Sequence, residues 1–174
     1  MFTLQFPPSE IADLAARFSY VKDDAECQEA GTAARERGHY TPDEFRLICE
    51  WKTARSKGRV AANRDSVVVA STQRALAATD ETARMEALLA LEGVGVPTAS
   101  ALLFFAYPTD YPILDYRALE SLGQPTNRTT YSVKYWLGYL EACRSFAAEA
   151  QVPIRTLDKA LWQASAERSA KGAC

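Results

Sequence analysis

LEGVGVPTASALLFFAYPTDYPILD, residues 91–115, sets two glycines, a helix start, a proline-bounded loop and an acidic residue in a fixed order. Gly93 and Gly95 permit backbone torsions and close approaches that a side chain would block. Pro97 and Thr98 follow directly, and proline is favoured in the first turn of a helix. The unbonded N–H groups at such a start, next to bare glycine backbone, make a socket for a phosphate, a contact that is blind to base sequence. Gly93, Val94, Gly95, Val96 and Thr98 are therefore candidate nucleic-acid contacts. The same residues also suit a tight inter-helix turn. Asp115 stands at the head of the next amphipathic segment, where aspartate is a preferred N-cap.

Helical signals continue toward both ends of the chain. On the N-terminal side, Thr79 or Asp80 caps a helix ending at Leu91, with Met85, Leu88 and Leu89 inward. Residues 64–77 read as a helix whose Val67-Val68-Val69 run is strand-like by propensity but has Ala-rich flanks. Thr41-Pro42-Asp43-Glu44 joins an N-cap, a proline at the first helical position and a capping-box glutamate. The helix it starts turns Phe45, Ile48, Cys49 and Lys52 toward one side. A helix over 24–37 stops at Gly38, and Ser9 caps a first helix over 9–20 carrying Ile11, Leu14, Ala15 and Phe18 on one face. On the C-terminal side, helices cover 97–106 and 115–122, a long one runs from Thr130 to about Ala150, and a last one begins at Thr156. Trp136 and Trp162 read as packing anchors of the last two. The pattern predicts an all-α fold, one compact domain over 1–174.

The chain has 174 residues, 48% hydrophobic and 24% charged, ordinary values for a soluble globular protein. No apolar run approaches the ~20 residues that span a bilayer, so no membrane partner is expected. MFTLQFPPSE has no basic segment before an apolar one and does not read as a secretory signal, so a cytoplasmic location is expected. Cys27, Cys49, Cys143 and Cys174 are far apart, which gives neither a zinc pair nor the close spacing of an iron–sulfur cluster. No metal site is expected, and the single histidine, His39, rules out a His-dependent triad. The formal net charge of -2 weighs against tight non-specific DNA binding. Yet residues 51–64 hold five cations (Lys52, Arg55, Lys57, Arg59, Arg64) and no acid, while Asp23, Asp24, Glu26 and Glu29 cluster elsewhere. This asymmetry fits either a basic face on an acidic protein or a solvated helix end and loop.

LEGVGVPTASALL resembles the L-P-G-V-G-x-x-T-A hairpin of the helix-hairpin-helix base-excision DNA glycosylase superfamily. Residues 88–122 as a whole resemble its endonuclease III and adenine glycosylase branch: Asp115 lies at the same distance from Leu91 as the superfamily's catalytic aspartate, and YPILDYRAL is similar to the sequence around it. The resemblance implies a multi-helix glycosylase-like domain, a helix-hairpin-helix element at about 81–106, and double-stranded DNA as partner. It implies hydrolysis of the N-glycosidic bond of a damaged or mispaired base. Asp115 would stabilise the positive charge building on the deoxyribose or activate a water there. Bifunctional members carry a nucleophilic lysine where this chain has Pro97, so Schiff-base chemistry at that position is excluded and a monofunctional enzyme is implied. Similar hairpins hold a monovalent cation, whose ligands here would be backbone carbonyls around residues 91–96.

A glycosylase that releases a purine also needs a general acid. Glu50, beside Trp51 and the basic segment, resembles the acidic residue on an early helix of adenine glycosylases, and reads equally as a surface glutamate paired with Arg46 or Lys52. Trp51, Tyr111 and Tyr116 are candidates for stacking on an extruded base, or are core aromatics. Lys52, Arg55, Lys57, Arg59 and Arg117 are candidate phosphate contacts, with Arg117 alternatively pairing with Asp115. The stretch between Glu50 and the hairpin is short for a glycosylase. A second reading therefore stays open: a non-catalytic helix-hairpin-helix DNA-binding module that has lost the base pocket.

Overall fold

Ten α-helices and two short 3-10 turns form the regular structure of the computed structural model, which describes residues 1–20, 22–127 and 130–171; no described residue lies in a strand. The helices are α1 (Ile11–Ala16), α2 (Ala25–Arg37), α3 (Pro42–Lys52), α4 (Lys57–Ala61), α5 (Asp65–Ala77), α6 (Glu81–Leu89), α7 (Val96–Ala106), α8 (Tyr116–Ser121), α9 (Val133–Glu149) and α10 (Ile154–Lys171). Cys174 lies outside the described residues.

α7 is the axis of the core. Every residue from Thr98 to Ala106 is buried, as is Val96, and a helix apolar on all sides must be enclosed on all sides. α2, α3 and α6 enclose it. α2 crosses so closely that a Cβ at Gly31 would lie 2.0 Å from the Phe105 carbonyl oxygen, which accounts for a glycine in mid-helix despite its cost of ~1 kcal/mol against alanine. On the other side of the molecule α10 packs against α1, α8 and α9. The N-terminal segment joins this half: the Thr3 N–H donates to the Leu122 carbonyl at 3.1 Å and the Gln5 N–H to that of Ser121 at 3.0 Å. The buried side chains of both halves form one continuous cluster.

Local signals place most boundaries. Thr41 makes both halves of its capping box with Glu44, Asp80 accepts from the Ala83 N–H at 2.8 Å, and Gly38 closes α2. The Val67-Val68-Val69 run is helical within α5, where Val68 is buried. Cys27, Cys49 and Cys143 are buried free thiols, and burial raises the pKa of Cys27 to about 11. Among the described residues no helix is long and apolar enough to cross a membrane.

Four expectations shift. The first helix is shorter, because Pro7 and Pro8 hold the chain in a 3-10 turn over Pro8–Glu10; Ser9 lies inside it and caps nothing, and Phe18 falls beyond α1. α9 starts at Val133, since Ser132 rather than Thr130 accepts from the Tyr135 N–H, at 3.2 Å. α10 starts two residues before Thr156, with the Pro153 carbonyl accepting from the Thr156 and Leu157 N–H groups. The basic stretch, between the end of α3 at Lys52 and the non-helical Arg64, also holds a 3-10 turn (Ala54–Ser56) and α4, which the sequence did not signal.

Candidate functional site

The turn between α6 and α7 is held in shape by α4. Gly93 has φ +78, and a Cβ there would lie 2.9 Å from the Val60 backbone nitrogen and 3.0 Å from the Arg59 Cβ, so glycine is required twice over. Asn63, buried just after α4, donates through Nδ2 to the carbonyls of Val60 and Glu92, both at 2.9 Å, and accepts the Glu92 N–H on Oδ1 at 2.8 Å. Basic segment and glycine turn are thereby one rigid surface. Among the described residues the N–H groups of Gly93, Gly95 and Val96 make no hydrogen bond. The Val94 and Val96 side chains are buried, so those two residues offer only backbone to a ligand. Of the carbonyls expected to ligate a cation, those of Leu91, Glu92 and Gly95 already accept hydrogen bonds.

An open groove of about 970 Å³ runs along this surface. Gly93, Gly95, Pro97 and Thr98 line it from the turn, Lys52, Arg55 and Arg59 from the basic segment, and Asp115, Tyr116 and Arg117 from the start of α8. Among the described residues four cations thus face it with one carboxylate, Asp115, on a protein whose net charge is -2. A small pocket of about 30 Å³ lies against the groove, walled by Phe18, Trp51, Ile113 and Ala118, with Arg155 and Asp158 also lining it. Tyr20, Lys52, Asp115 and Trp162 line groove and pocket alike and form the mouth between them.

Asp115 is the N-cap of α8: its Oδ1 accepts from the Ala118 N–H at 2.9 Å. Capping and facing the groove are compatible, because one carboxylate oxygen suffices for the cap. Lys52, half-buried at the end of α3, has no ion pair within 4.0 Å and no hydrogen bond among the described residues. Burial lowers its pKa, opposed by the charges of Asp115 and Asp158. The other pocket cation is fully occupied: Arg155 pairs with Asp158 at 2.5 Å and with Asp24 at 3.5 Å. Asp158 also accepts the Ile113 N–H at 2.9 Å, and burial raises its pKa against these favourable contacts.

The mouth is aromatic. Trp162 meets Tyr20 edge-on at 5.3 Å and Phe18 at 5.4 Å, and Tyr20 meets Trp51 at 5.9 Å. Arg117 does not pair with Asp115; its guanidinium lies 5.1 Å from both the Tyr116 and Trp162 rings and donates to the Ser165 and Ser169 hydroxyls at 3.3 Å.

Three candidates fall outside this constellation. Glu50 pairs with Lys57 at 3.0 Å, and neither lines the groove or the pocket. Tyr111 is a core residue whose hydroxyl donates to Glu81 at 2.9 Å, where burial and that bond raise its pKa to about 12. In return, Tyr20, Phe18, Asn63, Asp158 and Trp162 enter the site without having been singled out for it. One signal pointed there: Asp158 and Trp162 share a face of α10, a carboxylate one turn from a tryptophan amid apolar residues. Trp162, expected as a packing anchor, is half-buried at the mouth, whereas Trp136 is fully buried. Comparison with protein-family models, curated proteins and solved structures gives no match to this chain.

Proposed function

We infer that the groove is a double-stranded DNA surface and that the protein acts as a monofunctional DNA glycosylase of helix-hairpin-helix type. The carrying observation is the groove itself, which among the described residues gathers the unbonded backbone N–H groups of Gly93 and Gly95, four cations and Asp115 along one face. Free N–H groups at the head of α7 suit a backbone phosphate, and Arg55, Arg59 and Arg117 suit its neighbours. In base release the glycosidic electron pair leaves with the base and positive charge develops on the sugar. The Asp115 carboxylate, with one oxygen in the cap, has its second oxygen to stabilise that charge and to accept the proton of the attacking water. Trp51, Trp162 and Tyr20 supply aromatic faces for an extruded base. Base-excision repair is the role such chemistry serves.

A second reading, a DNA-binding module without base release, is favoured by the pocket's size. About 30 Å³ holds roughly two waters, at the ~10–15 Å³ each requires, and admitting a base needs Tyr20 or Trp162 to swing aside. The test has two parts. Fluorescence anisotropy with intact duplex and with a duplex bearing a non-reactive abasic analogue, each at low and moderate salt, is expected to show salt-weakened binding that prefers the analogue. Base release from a lesion panel is then expected from the wild type and not from Asp115→Asn, whose side chain can still cap α8. Release by neither protein with equal binding to both duplexes selects the module, and no binding at all overturns both readings.

A further inference from the structure

A second cavity, of about 370 Å³, opens at the seam of the molecule, between α2 and the end of α7 on one side and α10 on the other. Its volume falls in the ~300–1,000 Å³ range of small-molecule sites, unlike that of the pocket at the mouth. Lys22, Arg155 and Lys159 line it, against one carboxylate among the described residues, Asp24. Arg155 and Asp24 answer each other at 3.5 Å, and Asp24 also accepts from the Gln28 side-chain amide at 2.7 Å. The two lysines are left over: neither has an ion pair within 4.0 Å among the described residues. The Lys22 Nζ donates to the Trp51 carbonyl at 2.6 Å, which uses one of its donors. The Lys159 Nζ lies 5.7 Å from the centre of the Phe18 ring, a contact that uses none. The apolar lining is mostly aromatic, with Phe104 and Phe105 beside Phe18 and Tyr20. Surplus positive charge disfavours a metal ion here. Unused ammonium donors beside aromatic walls suit a ligand that carries both a ring and an anionic group. The ring gains contact area, and the anion gains charge-assisted hydrogen bonds.

We propose that this cavity binds a small planar ring bearing a phosphate or a carboxylate, with Lys159 and Lys22 as its anion contacts. The inference stands apart from the reading of the groove as a DNA surface, since Tyr20 alone lines both cavity and groove. Phe18, Tyr20 and Arg155 line the pocket at the mouth as well, so an occupant rests on side chains that frame it. Seated against α2, α7 and α10, the occupant touches both halves of the molecule. It therefore favours the folded chain in step with its occupancy.

The full chain, without DNA, is titrated by calorimetry with adenosine 5′-monophosphate, 2-naphthoate, adenosine and inorganic phosphate. At least one of the two ring-bearing anions is expected to bind at least about tenfold more tightly than adenosine or inorganic phosphate, and to raise the Tm. Preference for the nucleotide identifies a phosphate ligand, and preference for naphthoate a carboxylate. Lys159→Gln is expected to weaken that binding at least about tenfold, the scale of one lost hydrogen bond to a charged group. Lys22→Gln, at an exposed side chain, is expected to act in the same direction and keeps the proposal testable should Lys159→Gln fold poorly. Arg59→Ala, in the groove, is expected to leave the affinity within about twofold, as for distant sites with no shared partner. A loss in Arg59→Ala equal to that in Lys159→Gln places the probe in the groove and overturns the proposal. Adenosine or inorganic phosphate binding as tightly as the ring-bearing anions overturns it too, as does unchanged affinity in both lysine variants or no binding by any probe.

Discussion

Asn63 grips the Glu92 peptide unit from both sides, donating to its carbonyl at 2.9 Å and accepting its N–H at 2.8 Å. Through this one side chain the end of α4 fixes the register of the glycine turn. Asn63→Ala strips four hydrogen bonds from a buried site and is expected to cost about 1–3 kcal/mol in urea unfolding. Asn63→Asp is expected to cost more at neutral pH, because a carboxylate would face the carbonyls of Val60 and Glu92. Both are expected to lose DNA affinity well below their unfolding midpoint, read by anisotropy.

Gly93 and Gly38 share a left-handed backbone, φ +78 and +88, but only Gly93 is crowded. Gly38→Ala is expected to cost about 1 kcal/mol through its torsion alone. Gly93→Ala is expected to cost at least ~1 kcal/mol more, since its Cβ would press on the Val60 nitrogen, a backbone atom that cannot rotate away. Paired denaturant melts measure the difference, and equal costs would mean that α4 yields readily.

Arg55 and Arg59 line the groove, whereas Lys57 between them turns away to Glu50. Each lost phosphate contact lowers the slope of log K against log salt by about 0.9. Arg55→Ala and Arg59→Ala are each expected to show that drop in anisotropy titrations across salt, and Lys57→Ala is expected to leave the slope unchanged.

Lys52 should make the fold less stable at neutral pH. Its folded pKa lies below the ordinary value of 10.5, so stability is fully present above that pH and is lost as pH falls through the folded pKa, where protonation favours the unfolded chain. Lys52→Met is therefore expected to match or exceed wild-type stability at pH 7, with the advantage shrinking toward pH 10.5. Thermal melts across that range read the sign, and a variant markedly less stable than wild type at pH 7 would contradict it.

Sequence periodicity carried the fold a long way. Capping at Thr41, Asp80 and Asp115, the glycine turn, and the all-round apolar α7 are local or one-dimensional signals. The candidate site was legible where it is local too: turn, basic segment and Asp115 lie within 66 residues, from Lys52 to Arg117, and line one groove. What could not be read is what only tertiary packing creates. Nothing in residues 60–63 announces that Asn63 will hold a peptide 29 positions away. Tyr20 and Trp162 meet across most of the chain, and their spacing carries no trace of it. Glu50 and Tyr111 stand apart from the groove for the same reason: each is paired elsewhere, with Lys57 and Glu81, and those pairings are set by packing.

The pairing of α1 with α10 has a bearing on how the protein is made. Ile11 emerges from the ribosome 143 residues before Ile154, on the order of ten seconds earlier at ~5–20 residues per second. α2 to α7 can close around their own axis in that interval, so the glycine turn and its cations precede the rest. Phe18, Tyr20 and Asp115 wait for Asp158 and Trp162 to arrive. A chain halted before α10 would carry the glycine turn with Lys52, Arg55 and Arg59, while Arg117 would lack Ser165, Ser169 and Trp162 and the mouth would lack its Trp162 wall.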